Sequence, residues 1–226
     1  MFGVPQGSVL GPVLFNIYIR SIYKTVKLLG FSIVGYADDH QILKTFRPNN
    51  QHLVLAEDLS ICFTSIHKWM CQYYLQLNAS KTKIIVFGPP DVLSNVRIMG
   101  TFLEYSTVIR FVSTVKNLGI LMDSSMTMKK QVMNIKKKCF QTIRNISKIR
   151  YLLSHENLKT IVNSLVVSCL DYCNVMYYGI HQDLLTQLQR IQNAASKIVM
   201  GKFKYDHVGN DLNILHWLPI RKRIIF

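Results

Sequence analysis

Carboxylates are scarce in this 226-residue sequence. Twelve Asp and Glu stand against 27 Lys and Arg, and none occurs before Asp38. The formal charge of +15 suggests a polyanionic partner, nucleic acid first and an anionic membrane surface second. Long apolar runs are missing too. Val9 to Ile19 is interrupted by Gly11-Pro12, and Leu152 to Ile180 by His155, Glu156, Lys159 and Asp171, so neither reads as a membrane span. No charged residue precedes Arg20, so the basic start of a secretory leader is missing. Five cysteines are an odd number; without such a leader they fit a reducing, intracellular setting, nuclear or cytoplasmic. Low-complexity tracts and internal repeats are absent.

What is present is enough apolar material, 49% of residues, for one large or two small domains. The stretch Gly35-Tyr36-Ala37-Asp38-Asp39 lies between Phe31-Ser32-Ile33-Val34 and Ile42-Leu43, the pattern of a β-hairpin with an acidic tip. Adjacent carboxylates repel each other. A hard divalent cation relieves that repulsion and commonly shares its site with phosphates. A solvated Asp-Asp turn gives the same pattern.

Other blocks flank this one. Upstream stands Gly3-Val4-Pro5-Gln6-Gly7-Ser8-Val9-Leu10-Gly11-Pro12. Downstream stand Leu77-Asn78 with Lys81-Thr82 and Phe87-Gly88, then Leu118-Gly119-Ile120 with Asp123. Leu170-Asp171-Tyr172-Cys173-Asn174, the run Leu188 to Ala195 and Leu215-His216-Trp217-Leu218-Pro219 follow. In this order the blocks resemble reverse transcriptases of non-LTR (LINE-type) retrotransposons, of the CR1/jockey kind, with Tyr36-Ala37-Asp38-Asp39 similar to the YxDD motif.

The resemblance implies RNA-directed DNA polymerase chemistry with Mg²⁺ or Mn²⁺. It implies Asp38 and Asp39 as metal ligands and Lys81, with Lys83 as its rival, beside the leaving pyrophosphate. Pro5, Gln6, Gly7, Tyr36 and Ala37 would face nucleotide and template. Leu118 and Gly119 would belong to the primer-grip hairpin. The implied partners are an RNA template, a DNA primer, their hybrid and, in an intact parent, a dNTP; a membrane is not among them. In the family a further metal-binding Asp comes from a strand upstream of the Pro-Gln-Gly motif. Residues 1–37 hold no carboxylate, so the chain alone is expected to be inactive. A non-catalytic basic RNA- or DNA-binding module is the alternative.

The expected fold class is α+β: a partial palm with the primer-grip-like hairpin over 1–127, then a mainly helical thumb and extension over 128–226. Ser8 is expected to cap a helix running to about Tyr23. Asn49 or Asn50 would cap a long helix with the apolar stripe Leu55, Leu59, Cys62, Ile66, Trp69 and Tyr73. A strand is expected at 84–87 after a turn at Asn78-Ala79-Ser80. Strand-like pieces follow at 96–99, 101–105, 107–112 and 115–122. Helices are expected at about 128–150, 155–178 and 182–200. The first carries Lys129, Lys130, Lys136, Lys137 and Lys138, a face suited to a phosphate backbone or merely solvated. Cys169, Cys173 and His181 resemble part of a zinc knuckle, but no fourth ligand follows, so the cysteines read as core. The N-terminal third is expected to be the looser part.

Overall fold

The computed structural model describes residues 7–47, 52–78, 80–95, 101–104 and 107–226. It has two compact units, Met1–Val112 and Ser113–Phe226. Helix and strand are mixed, as the α+β expectation requires. Among the described residues no helix is long and apolar enough to cross a membrane.

The first unit opens with two short helices, α1 (Gly11–Tyr18) and α2 (Arg20–Leu28). This corrects the single helix expected from Ser8. Pro12 sits in the first turn, where its missing N–H costs nothing, so the N-cap falls at Leu10. Ser8 contributes only its carbonyl, which accepts the Gly11 N–H at 3.2 Å. α1 buries none of its side chains, and Val13 and Ile17 are more than half exposed. α2 buries Ile22 and Val26, four residues apart on one face.

Strands β1 (Ser32–Tyr36) and β2 (Asp39–Leu43) form an antiparallel hairpin. Helix α3 (His52–Gln72) packs on α2 through the expected stripe, with Leu55, Cys62, Ile66 and Trp69 buried. The Trp69 indole N–H donates to Ser21 Oγ at 2.9 Å, and its ring stacks on Tyr73 at 4.4 Å. The expected cap at Asn49 or Asn50 lies outside the described residues.

A second sheet has the order β3 (Lys83–Ile84), β5 (Thr107–Phe111), β4 (Thr101–Glu104). β3 is shorter than the strand expected at 84–87, because its parallel ladder with β5 holds only the pairs Lys83–Arg110 and Ile84–Phe111. Helix α4 (Pro90–Asn95) starts at the second of two adjacent prolines; proline suits a first helical position. The piece expected at 96–99 lies outside the described residues.

The second unit begins with a hairpin, β6 (Thr114–Asn117) and β7 (Ile120–Asp123), which divides the strand-like piece read over 115–122 at Leu118-Gly119, where the resemblance implies a hairpin. Its two-residue loop has Leu118 at φ 43° and Gly119 at φ 88°, both left-handed, which matches the twist of the paired strands. This hairpin, expected to close the first domain, packs with the helices: Ile120 joins their core, and the Leu121 N–H donates to buried Gln131 at 3.0 Å. Helices α5 (Lys129–Ile149) and α8 (Gln182–Val199) are the main pair.

Between them runs α6 (His155–Val162), a π-helical turn at Asn163–Val167 and α7 (Ser168–Asp171). The helix expected to reach 178 stops at Asp171. Cys173 turns left-handed at φ 51°, and a 3₁₀ turn takes over at Asn174–Tyr177. Cys173 is therefore exposed, not core, while half-buried Cys169 packs against the core.

Packing accounts for the last motifs. Gln192 is fully buried and donates to the Leu218 carbonyl at 2.8 Å, while Gln189 accepts the Ile220 N–H at 2.9 Å. Both polar side chains of α8 thus satisfy the backbone of the strap between α9 (Asp211–Ile214) and α10 (Ile220–Ile225). Buried Trp217 lies in that strap. Leu188 to Ala195 and Leu215 to Pro219 are two halves of one interface.

Among the described residues the second unit's core holds 22 buried hydrophobic side chains and the first unit's holds eight. Local stability follows buried apolar packing. Limited proteolysis is expected to cut first within residues 1–112 and to leave a fragment containing α5 to α10, identified by mass spectrometry. A surviving N-terminal fragment without a C-terminal one would contradict this.

Candidate acidic site and nucleic-acid interface

The acidic hairpin turns tightly. Tyr36 pairs with Asp39, leaving Ala37 and Asp38 as the loop. Ala37 sits at φ 54°, a conformation that crowds an L side chain. Asp38 and Asp39 are both exposed, as is Tyr36 at 69%. The loop is steadied by His40, whose Nδ1 lies 3.2 Å from the Asp38 carbonyl oxygen. From α2, Tyr23 reaches over the hairpin, edge-on to the His40 ring at 6.1 Å. Its hydroxyl stands 2.0 Å from where a Cβ at Gly35 would lie, so position 35 admits only glycine without movement. Ile33, on the same face of β1 as Gly35, and Phe31 just before the strand anchor the hairpin in the core of the first unit.

Two exposed carboxylates at one turn suit a single hard cation that takes its remaining ligands from water and phosphate. They do not complete a two-metal site, and no group of three or more His, Cys, Asp or Glu able to hold a metal occurs among the described residues. Lys81 is exposed in a turn organised by Asn78, whose Oδ1 accepts from Lys81 N–H at 3.2 Å and Ser80 Oγ at 2.7 Å. Those bonds are local and do not join Lys81 to the aspartates. Gly7 lies in a turn at φ 86° with open space around it, so its backbone conformation is what asks for glycine within this chain. Pro5 and Gln6 lie outside the described residues.

In the second unit the buried stripe of α5 is Val132, Ile135, Cys139, Ile143 and Ile146. Opposite it, Lys130, Lys137, Arg144 and Lys148 recur at steps of seven, seven and four along about 27 Å of helix. Lys129, Lys136 and Lys137 rim a depression of about 410 Å³ closed by Met133 and by Gln187 of α8. Lys136 donates to Gln187 at 3.3 Å, and Lys130 to Thr114 at 2.6 Å. Lys129, Lys130, Lys136, Lys137 and Lys138 are all exposed, and among the described residues none is ion-paired. Their charge faces solvent uncompensated.

Asp123, matched in sequence to the primer-grip block, has a structural task. It accepts from Thr127 N–H, Thr127 Oγ1 and Met128 N–H, each at 2.9 Å. Partial burial works against its charged form, but these donors outweigh it and hold the carboxyl below its ordinary range. These bonds close the loop before α5 and hold Met128, left-handed at φ 59°, as the residue from which α5 starts. Tyr172, from the block Leu170 to Asn174, donates to the Leu118 carbonyl at 2.6 Å and lies against Gly119. Among the described residues the cysteines belong to no group of three or more His, Cys, Asp or Glu able to hold a metal. Burial, aided by neighbouring Cys169, pushes the Cys139 thiol up to about 12.

The family model described as "Reverse transcriptase (RNA-dependent DNA polymerase)" matches residues 1–152. The RNA-directed DNA polymerase from mobile element jockey of Drosophila funebris is 26% identical over 87% of this chain and 21% of its own length. The probable RNA-directed DNA polymerase from transposon X-element of Drosophila melanogaster is 27% identical over 88% and 22%. A Pol polyprotein from type-1 retrotransposable element R1 of Nasonia vitripennis is 21% identical over 96% and 65%. The chain thus spans about a fifth of the length of the first two. No solved structure matches.

Ala37→Gly is expected to stabilise the first unit by about 1 kcal/mol, by relieving the left-handed alanine, whereas Gly35→Ala destabilises it; thermal unfolding reads both. Asp123→Ala is expected to cost about 1–2 kcal/mol. Because the folded carboxyl titrates below the unfolded one, this stabilisation is full above about pH 4 and fades as pH falls through the folded value. Urea unfolding across that window should show the difference between wild type and variant shrink with acidification.

Proposed function

The chain belongs to the reverse transcriptase (RNA-dependent DNA polymerase) family. On that premise we propose that it forms part of the RNA-directed DNA polymerase of a non-LTR retrotransposon, acting inside the cell on an RNA template and a DNA primer. The observation that carries this reading is the exposed Asp38–Asp39 pair at the tip of a hairpin braced by Tyr23. Reverse transcriptases generally use divalent metal ions, which align a primer hydroxyl with a nucleotide phosphate and neutralise developing charge. Asp38 and Asp39 would hold such an ion. Lys81, projected by the Asn78 turn, would offset charge on a departing phosphate. The basic stripe of α5 would lie along the backbone of the template–primer hybrid.

These residues bind and do not polymerise by themselves, in this proposal. Residues 1–37 supply no carboxylate, and the Asp pair has no third acidic neighbour among the described residues. Loss of one member of a catalytic unit removes most of the rate.

Anisotropy with a labelled RNA–DNA hybrid should show binding that weakens steeply as salt rises. Changing Lys136, Lys137 and Lys138 to Gln should weaken it and lower the log–log salt slope by about one for each phosphate left without its lysine. Binding indifferent to both salt and these changes would sink the interface. Incorporation of dNTP on a primed template by the 226-residue chain, abolished in Asp38→Asn, would overturn the claim of inactivity.

A further inference from the structure

The turn after α8 reads Gly201-Lys202-Phe203-Lys204-Tyr205-Asp206-His207, aromatics alternating with cations. Phe203 is 81% and Tyr205 87% exposed. The turn beneath them is pinned. Arg150 donates to the Gly201 carbonyl at 3.2 Å, and the Lys202 N–H donates to the Lys197 carbonyl at 2.9 Å. The Lys202 ammonium donates to the His207 carbonyl at 2.9 Å and to buried Asp211 at 2.6 Å. The Lys197 ammonium holds the Lys204 carbonyl at 2.8 Å, and Asp206 accepts the Phe203 N–H at 2.7 Å. The backbone is fixed, yet two large rings point into water.

We propose that Lys202–Tyr205 is a stacking site for unpaired bases of single-stranded RNA or DNA. Every base offers a π-face to an aromatic ring, and such stacking tolerates any sequence. A paired duplex closes those faces, so the site selects open strands. Lys204 stands 5.3 Å from the centroid of the Tyr205 ring, where its charge supports stacking and meets a neighbouring phosphate. The cations Arg150, Lys197, Lys202 and Lys204 outnumber Asp206 and Asp211 around this turn, so its net charge stays positive. That charge favours a polyanion over an apolar protein surface. The pinned turn means little order is lost on binding. The site presupposes that the chain binds nucleic acid, as proposed above, but uses a different surface from the α5 lysines.

The test uses the 226-residue chain and anisotropy with labelled oligouridine and oligothymidine of about 12 nucleotides, within the span such sites cover, beside a blunt RNA–DNA hybrid. Phe203→Leu with Tyr205→Leu keeps apolar bulk and removes both π-faces; Tyr205→Phe keeps them. The double variant is expected to bind single strands about tenfold or more weakly and the hybrid unchanged, with Tyr205→Phe like wild type. Loss for oligouridine alone makes the site one for RNA, and for oligothymidine alone one for DNA. Unchanged single-strand binding in the double variant overturns the proposal. So does wild-type self-association in sedimentation that the double variant abolishes while strand binding stays equal, which makes the patch a protein contact. Weak hybrid binding by wild type, with the strand effect intact, rejects the α5 interface and leaves the turn standing.

Discussion

The three hydrogen bonds accepted by Asp123 govern what the second unit can present. They close the loop between hairpin and helix, hold Met128 in a left-handed conformation and so aim α5. Once α5 is aimed, its apolar stripe meets α8, and its lysines are left exposed, Lys136 at the edge of that contact. The polar glutamines of α8 then capture the backbone of the strap carrying Trp217. An exposed, strongly basic face arises here without any residue placed for that purpose alone. It arises because burying one face of a helix determines the other.

Carboxylates are few in this chain, and several are taken up by the fold. Asp123 and Asp211 are consumed by hydrogen bonds and an ion pair, Asp171 by Arg223 and Asp58 by Lys44. Asp38 and Asp39 are kept in water, on a turn whose alanine adopts a disfavoured conformation and whose glycine is overhung by a tyrosine.

Much of this is legible in the sequence. The alternation around Tyr36–Asp39 marks the hairpin, and the four-three steps from Leu55 to Tyr73 mark the long helix, because side-chain period reports the element directly. Element ends are harder. The helix after Ser8 begins at Gly11 because of Pro12, and the helix expected to reach 178 ends at Asp171 because of a left-handed Cys173 that no composition rule marks. The order of blocks points to the aspartates, but it does not show that Lys81 keeps only local bonds or that Asp123 closes the loop before a helix. Those depend on which groups meet in space, which local pattern does not encode.

The kink at Leu170–Asn174 touches three places at once. Tyr172 holds the hairpin loop at Leu118, Asp171 pairs with Arg223, and Asn174 donates to the carbonyl of the same arginine at 2.8 Å. A five-residue segment therefore carries no independent freedom to drift. As relatives diverge, a change at 171, 172 or 174 is harmless only when the hairpin loop or the last helix changes with it. Such coupled substitution leaves a trace in inheritance as a single block of sequence, though its parts lie 49 to 54 residues from their partners.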